Sequence, residues 1–219
     1  MCSIQNPAQP TDPQLIYKQP MDDVVVLSDL AYVVGYVPVD YGDYVANRHG
    51  FGIIEVSSGN VIGSYESPSV VHSLYVAGNY TYLATLDGLE IIDITDPYHP
   101  MFVGQYSSHD MLCVSVKGNY VYAGVSMVDG GHFQVIDVSS PTNPSLVKDI
   151  SVWGDVYSIS ISGNRAFVSS QELNMFDITN PVSPKLLANY SLVYNGRADA
   201  DQAHVICTDY DAIYVFEYQ

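Results

Sequence analysis

The chain has 219 residues, 47% of them hydrophobic, and its Lys+Arg 7 stand against Asp+Glu 24 for a formal net charge of -17. Such an acid excess serves solubility first and repels a phosphate backbone or an anionic membrane surface, so nucleic acid is not expected as a partner. No apolar run approaches the ~18 residues of a membrane span and no helical periodicity recurs, which predicts one strand-dominated domain with no transmembrane segment.

The opening segment, Cys2 to Pro13, is rich in Pro, Gln and Ser and reads as a tail over residues 1–12, ahead of a single domain over 13–219. Cys2 there resembles the first mature residue of a bacterial lipoprotein, which would make it a lipid anchor; the alternative is an ordinary exposed cysteine. Cys113 and Cys207 fall inside strand patterns, and three cysteines without metal-like spacing predict buried small hydrophobes rather than a disulfide framework or a zinc site. After Pro10 and Pro13 comes a short β run, Gln14-Leu15-Ile16-Tyr17-Lys18.

Val24-Val25-Val26-Leu27 follows, and its lack of alternation suits a strand buried on both faces. Ser28-Asp29 turns the chain into a second strand. The link to the third strand, Val37 to Gly50, contains Tyr41, Asp43, Tyr44, Asn47, Arg48 and His49. Aromatic anchors among adaptable polar groups suit recognition, and loops set on a rigid scaffold are where binding usually resides. A mobile surface loop without a partner is the plain alternative.

From here the chain repeats. Gly78-Asn79, Gly118-Asn119 and Gly163-Asn164 each sit between apolar runs, as tight hairpin turns do. Third strands then end in an acid: Glu55, Asp93, Asp137, Asp177 and Glu217, spaced by 38, 44, 40 and 40 residues. A proline pair breaks the ladder after the acid at Pro97/Pro100, Pro141/Pro144 and Pro181/Pro184, and a fourth strand follows. A period near 40 residues marks a repeat array, and five copies predict a five-bladed β-propeller with four antiparallel strands per blade. The N-terminal Pro10/Pro13 and residues 14–18 match a fourth strand, while the chain stops just after a third. The last blade is therefore expected to pair residues 13–18 with residues 203–218.

The unit seen in Gly78 to Ala84, Gly88 to Ile94 and Thr95 to Pro100 resembles the LVIVD repeat family of β-propeller proteins over nearly the whole chain. Ser57-Ser58-Gly59-Asn60 replaces the proline pair in the first copy, and the last copy lacks the Gly-Asn turn. The resemblance implies the fold and a secreted, periplasmic or cell-surface location, and supplies no catalytic motif to carry over.

Hairpins and proline loops fall on one face of such a disc, and the links between strands two and three on the other. On that second face the links differ: Asp87-Gly88, against Val37 to Gly50 and Met127 to His132. The innermost strands open there with Asp22, His72, Leu112 and Tyr157, preceded by Asp110 and Asp155, and joined by Arg197, Asp199 or Asp201 from the last copy. Ligand-binding residues are accordingly assigned to Asp22, Tyr41, Tyr44, Arg48, His49, His72, Asp110, Asp155, Tyr157, Arg197 and Asp199. Hard carboxylate ligands at this mouth would suit calcium, and two suitably spaced acids would suit glycoside hydrolysis. The bland reading has the acids solvated or bracing loop backbone. The expected function is non-catalytic binding of a protein or glycan, with a glycoside hydrolase or a structural cell-envelope protein as alternatives. The acids Asp93, Asp137 and Asp177 recur in every copy and read as loop braces. Trp153 stands in a blade-to-blade link, and Asn79-Tyr80-Thr81 and Asn189-Tyr190-Ser191 fit the glycosylation acceptor pattern.

Overall fold

Runs of Val, Ile, Tyr and Phe between Gly, Asn and Pro turns dictate strands. In the computed structural model, which describes residues 21–40, 45–191, 196–208 and 212–218, these strands form five antiparallel sheets. The first holds β1 (Met21–Leu27), β2 (Leu30–Asp40), β3 (Val45–Glu55) and β4 (Asn60–Glu66). The second holds β5 (Val71–Ala77), β6 (Tyr80–Thr85), β7 (Gly88–Asp93) and β8 (Met101–Ser107). The third holds β9 (Asp110–Lys117), β10 (Tyr120–Met127), β11 (Gly130–Asp137) and β12 (Ser145–Val152). The fourth comprises β13 (Ser158–Ser162), β14 (Arg165–Ser169), β15 (Glu172–Asp177) and β16 (Lys185–Ser191), and the fifth β17 (Ala198–Ala200), β18 (His204–Thr208) and β19 (Ile213–Glu217). Strands neighbour one another in chain order within every sheet, and the leading strands β1, β5, β9, β13 and β17 lie against each other in succession.

One backbone device sets the repeat. At the first hairpin of the second, third and fourth sheets, Gly78, Gly118 and Gly163 adopt φ of 58°, 60° and 54°. This is the left-handed conformation that glycine supplies without a Cβ penalty. The next residue's carbonyl accepts an N–H from just beyond the third strand: Ile94 to Asn79 at 2.8 Å, Val138 to Asn119 at 2.8 Å and Ile178 to Asn164 at 2.9 Å. Val56 to Asp29 and Tyr218 to Ala203 repeat the bond in the first and fifth sheets, so Gln202-Ala203 holds the turn's place in the copy that lacks Gly-Asn. Asp93, Asp137 and Asp177 each accept the N–H two residues on, at 2.7–2.8 Å. Hydrogen bonds from the following Thr or Ser hold these carboxyls below the usual carboxylate range. They are the loop braces that the sequence predicts.

The core is divided among the interfaces between sheets. Phe51, Ile53, Leu74 and Leu83 fill the first, and Leu89, Ile91, Met111 and Val121 the second. Phe133, Val135, Val156 and Phe176 fill the third, and Phe167, Leu173 and Val205 the fourth. Each such side chain is worth roughly 1.5–3 kcal/mol when buried, and half of every layer belongs to the neighbour, so one sheet alone would lose its core.

Three expectations change. Val24 and Val26 are 53% and 58% exposed, because among the described residues no sheet lies against that face of β1; burial on both sides fails there. The Val37 to Gly50 link is ladder rather than loop for most of its length. β2 and β3 stay paired from Tyr36↔His49 out to Asp40↔Val45, since Val37, Val39, Val45 and Ala46 extend the strand pattern. Met127 to His132 likewise contracts to a two-residue turn at Val128-Asp129, because Gly130, with φ of 129°, reverses the chain and pairs with Met127. The closing pairing of residues 13–18, and Cys2, lie outside the described residues.

Candidate functional site

The leading strands of the first three sheets begin with the same irregularity. Register skips one residue between Met21 and Asp23, between Val71 and Ser73, and between Met111 and Cys113 opposite Gly124 and Val125. The skipped residues are Asp22, His72 and Leu112, the positions the repeat alignment makes equivalent. A bulge re-aims its side chain and ends regular pairing, and here it opens a polar cavity of about 170 Å³ at one end of the leading strands. Asp23, His72, Leu112, Tyr157 and Arg197 line it, one from each successive repeat, with Ser158 beside them.

Carboxylates near this mouth are engaged across the sheet interfaces. Asp23 accepts the Ser73 hydroxyl at 2.9 Å and the Leu74 N–H at 3.2 Å, joining the first sheet to the second. His72 Nε2 lies 2.9 Å from Asp110 Oδ1, joining the second to the third, with both side chains about one-third exposed. Asp155, just ahead of β13, accepts the Ser126 hydroxyl from β10 at 2.7 Å. Asp199 accepts the Ser160 hydroxyl at 3.0 Å, while Ser158 and Ser160 accept the N–H groups of Ala198 and Ala200. A latch at each interface spans the strand starts, where the bulges leave backbone and side-chain groups to be satisfied.

His72, Tyr157 and Arg197 therefore meet in one cavity, and Asp110 reaches it through His72. Asp22 is exposed and the neighbouring Asp23 lines the cavity in its place, although the equivalent skipped residues His72 and Leu112 do line it. Asp155 and Asp199 act as latches outside the cavity lining. His49 is half-buried in β3, where its carbonyl accepts the Ser67 N–H, away from the mouth. Arg48 pairs with Val37 in the ladder, its side chain outside the described residues, as are Tyr41 and Tyr44 entirely. Sequence reasoning missed Asp23, Ser73 and Ser158; the available signal was a small polar residue one place after the aligned opening position. Among the described residues no three His, Cys, Asp or Glu side chains converge as metal ligands. Cys113 lines the inner wall of the same cavity, is buried with its thiol 3.5 Å from the Val156 carbonyl, and burial pushes that thiol up to about 12, too high for a nucleophile at neutral pH. Trp153 is 68% exposed in the link ahead of β13.

Antiparallel sheets standing side by side, their leading strands gathered at a shared cavity, define a propeller-type repeat protein. The LVIVD repeat pattern matches residues 70–108, 112–152 and 153–191, more than half of the chain, and the chain belongs to the LVIVD repeat family. Among curated proteins none matches it. A functionally unknown protein from Desulfotomaculum acetoxidans DSM 771 superposes with a TM-score of 0.75 at 10% identity, covering 92% of this chain and 69% of that one. The Myceliophteria_thermophila Cps50 (Swd1) beta-propeller domain gives 0.67 at 13% identity, over 90% and 70%. A chain of the nidogen/laminin complex gives 0.64 at 9%, over 91% and 76%. At these identities the likeness is one of fold. No helix among the described residues is long and apolar enough to cross a membrane.

Proposed function

We propose that the chain is a non-catalytic binding propeller, secreted or held at the cell surface, that takes its partner at the mouth lined by His72, Tyr157 and Arg197. The observation that carries this reading is the engagement of the mouth acids: Asp23, Asp155 and Asp199 are hydrogen-bonded across a sheet interface and Asp110 stands 2.9 Å from His72, and a guanidinium, a phenol and an imidazole line the opening. Arg197 and the latched His72 favour a group bearing a carboxylate, and Tyr157 supplies a broad, stiff contact. A hydrolase would need two of those acids free beside a scissile bond, and their latching favours the binding reading.

The ring in this reading has five blades. The edge of β19, where Ile213 and Val215 are 72% and 61% exposed, is where the expected fourth strand of the last one would pair. Arrays of proteins and glycans probed with the intact chain and with Arg197→Ala test the function. A partner captured by the wild type and lost by the variant supports it, and capture indifferent to Arg197 sinks it.

A further inference from the structure

The opposite end of the sheets, where the Gly-Asn hairpins lie, carries a groove at three of the four interfaces between the described sheets. Between the second and third sheets a cavity of about 520 Å³ is lined by Asn79, Tyr80 and Tyr82 on one side and Asn119, Ser139 and Pro141 on the other. The next interface repeats it in about 300 Å³, with Asn119, Tyr120 and Tyr122 facing Asn164, Thr179 and Pro181. The third, about 490 Å³, has Asn164 and Arg165 with Gln202 and Tyr218, the Arg165 guanidinium standing 4.9 Å over the Tyr218 ring. The first two grooves use the same positions of successive repeats, fixed by the bond from beyond the third strand to the turn carbonyl, while Gln202 and Tyr218 of the third align with Gly163 and Ile178.

The turn does not require asparagine. Only the glycine of each pair has positive φ, and in Ser28-Asp29 and Gln202-Ala203 the asparagine's place is taken by Asp29 and Ala203, so the turn accepts other residues there; Asn164 Oδ1 also accepts the Lys117 ammonium at 2.7 Å. The asparagine side chains are exposed, in grooves shared with the half-buried Tyr80 and Tyr120 and the buried Tyr82 and Tyr122. An amide donor and acceptor, a Ser or Thr hydroxyl and an aromatic wall suit a sugar ring, whose hydroxyls need paired polar partners and whose C–H face needs an apolar surface. The grooves are interrupted at every blade and offer no strand edge for a peptide.

We propose that these three grooves form a repeating array of carbohydrate sites for neutral oligosaccharides, separate from the mouth at the other end. A chain of sugar units reaching adjacent grooves gains avidity without any new contact.

Saturation-transfer NMR on the whole chain with maltose, cellobiose, lactose and N,N′-diacetylchitobiose, followed by calorimetric titration of the strongest, is the test. The expected result is transfer to at least one disaccharide with close to three equivalents bound. Asn119 lines two of the three grooves, so Asn119→Ala should lower the count to one while Arg197→Ala leaves it at three. Asn164→Ala, which also serves two grooves, gives the same loss and guards against a local folding effect at one turn. No transfer from any of the four sugars, a single equivalent in the wild type, or loss on Arg197→Ala alone would overturn the array; the mouth reading is untouched by the first two outcomes and supported by the last.

Discussion

Gly104 sits in β8 opposite Ile91, where the second sheet meets the proline loop of the third. A Cβ built there would lie 2.3 Å from the Pro141 carbonyl oxygen and 3.0 Å from Thr142 Cα, against an ordinary contact of 3.4 Å or more. Neither neighbour is the end of a flexible side chain, so the loop must retreat by about an ångström or the sheets must part. Overpacking of this kind costs ~1–3 kcal/mol, which for a domain of this length lowers Tm by roughly 2–12 °C. Gly104→Ala should show that loss in thermal unfolding followed by near-ultraviolet circular dichroism, and again as a lower urea midpoint with an unchanged slope. Gly63 meets the Pro97 carbonyl at 2.1 Å and should behave the same way. Ala188 holds the matching register position in β16, opposite Met175, so a side chain is already accommodated there and Ala188→Gly should not stabilise. Melting of Gly104→Ala within a degree of the wild type would refute the claim that sheet spacing is set by glycine against proline-loop backbone.

Glu90 is 5% exposed, and burial raises its carboxyl despite hydrogen bonds from Ser67 and Tyr65. Its contribution is present below the ordinary 4.5 and lost as pH rises through the raised value, so Glu90→Gln should raise Tm at pH 7.5 and change little at pH 4. Gln134, the matching residue of the third sheet, already shows that an amide fits. His132 is buried; burial alone would lower its pKa, but Asp149 at 2.7 Å and Asp129 at 3.3 Å outweigh it and the imidazole titrates above 6.5. Its stabilisation is complete below 6.5 and fades as pH climbs through the folded value; His132→Gln should abolish that slope in a Tm-against-pH series. Cys113 should resist a thiol-specific disulfide reagent in the native protein at pH 8 and react only on unfolding, since its thiol is held at about 12. Labelling in native buffer would contradict its burial.

What the sequence discloses and what it withholds divide along a physical line. The repeat is legible because it is a backbone requirement. Gly78, Gly118 and Gly163 must take positive φ, and Asp93, Asp137 and Asp177 must cap the loop that follows, so residue type and position are bound together in the three middle copies. The mouth is only half legible. Equivalence among Asp22, His72 and Leu112 follows from counting back from the turn, but counting cannot say which side chain faces the cavity: His72 and Leu112 line it, whereas Asp23 does so in place of Asp22. Nor can alternation tell a ladder from a loop at Val37 to Gly50, where strand extension depends on a partner strand folding back in register. The pairing of Asp110 shows the same limit. Its sequence neighbour His109 suggests a local pair, yet its partner is His72, 38 residues earlier, because an interface between repeats brings together what the chain keeps a full period apart. Side chains at such interfaces answer to two repeats at once. The mouth acids therefore read as a ring of free carboxylates in one dimension and act as latches in three. The asparagines of the opposite face are bound less tightly to their position, because the turn place they hold takes Asp29 and Ala203 in the first and last copies.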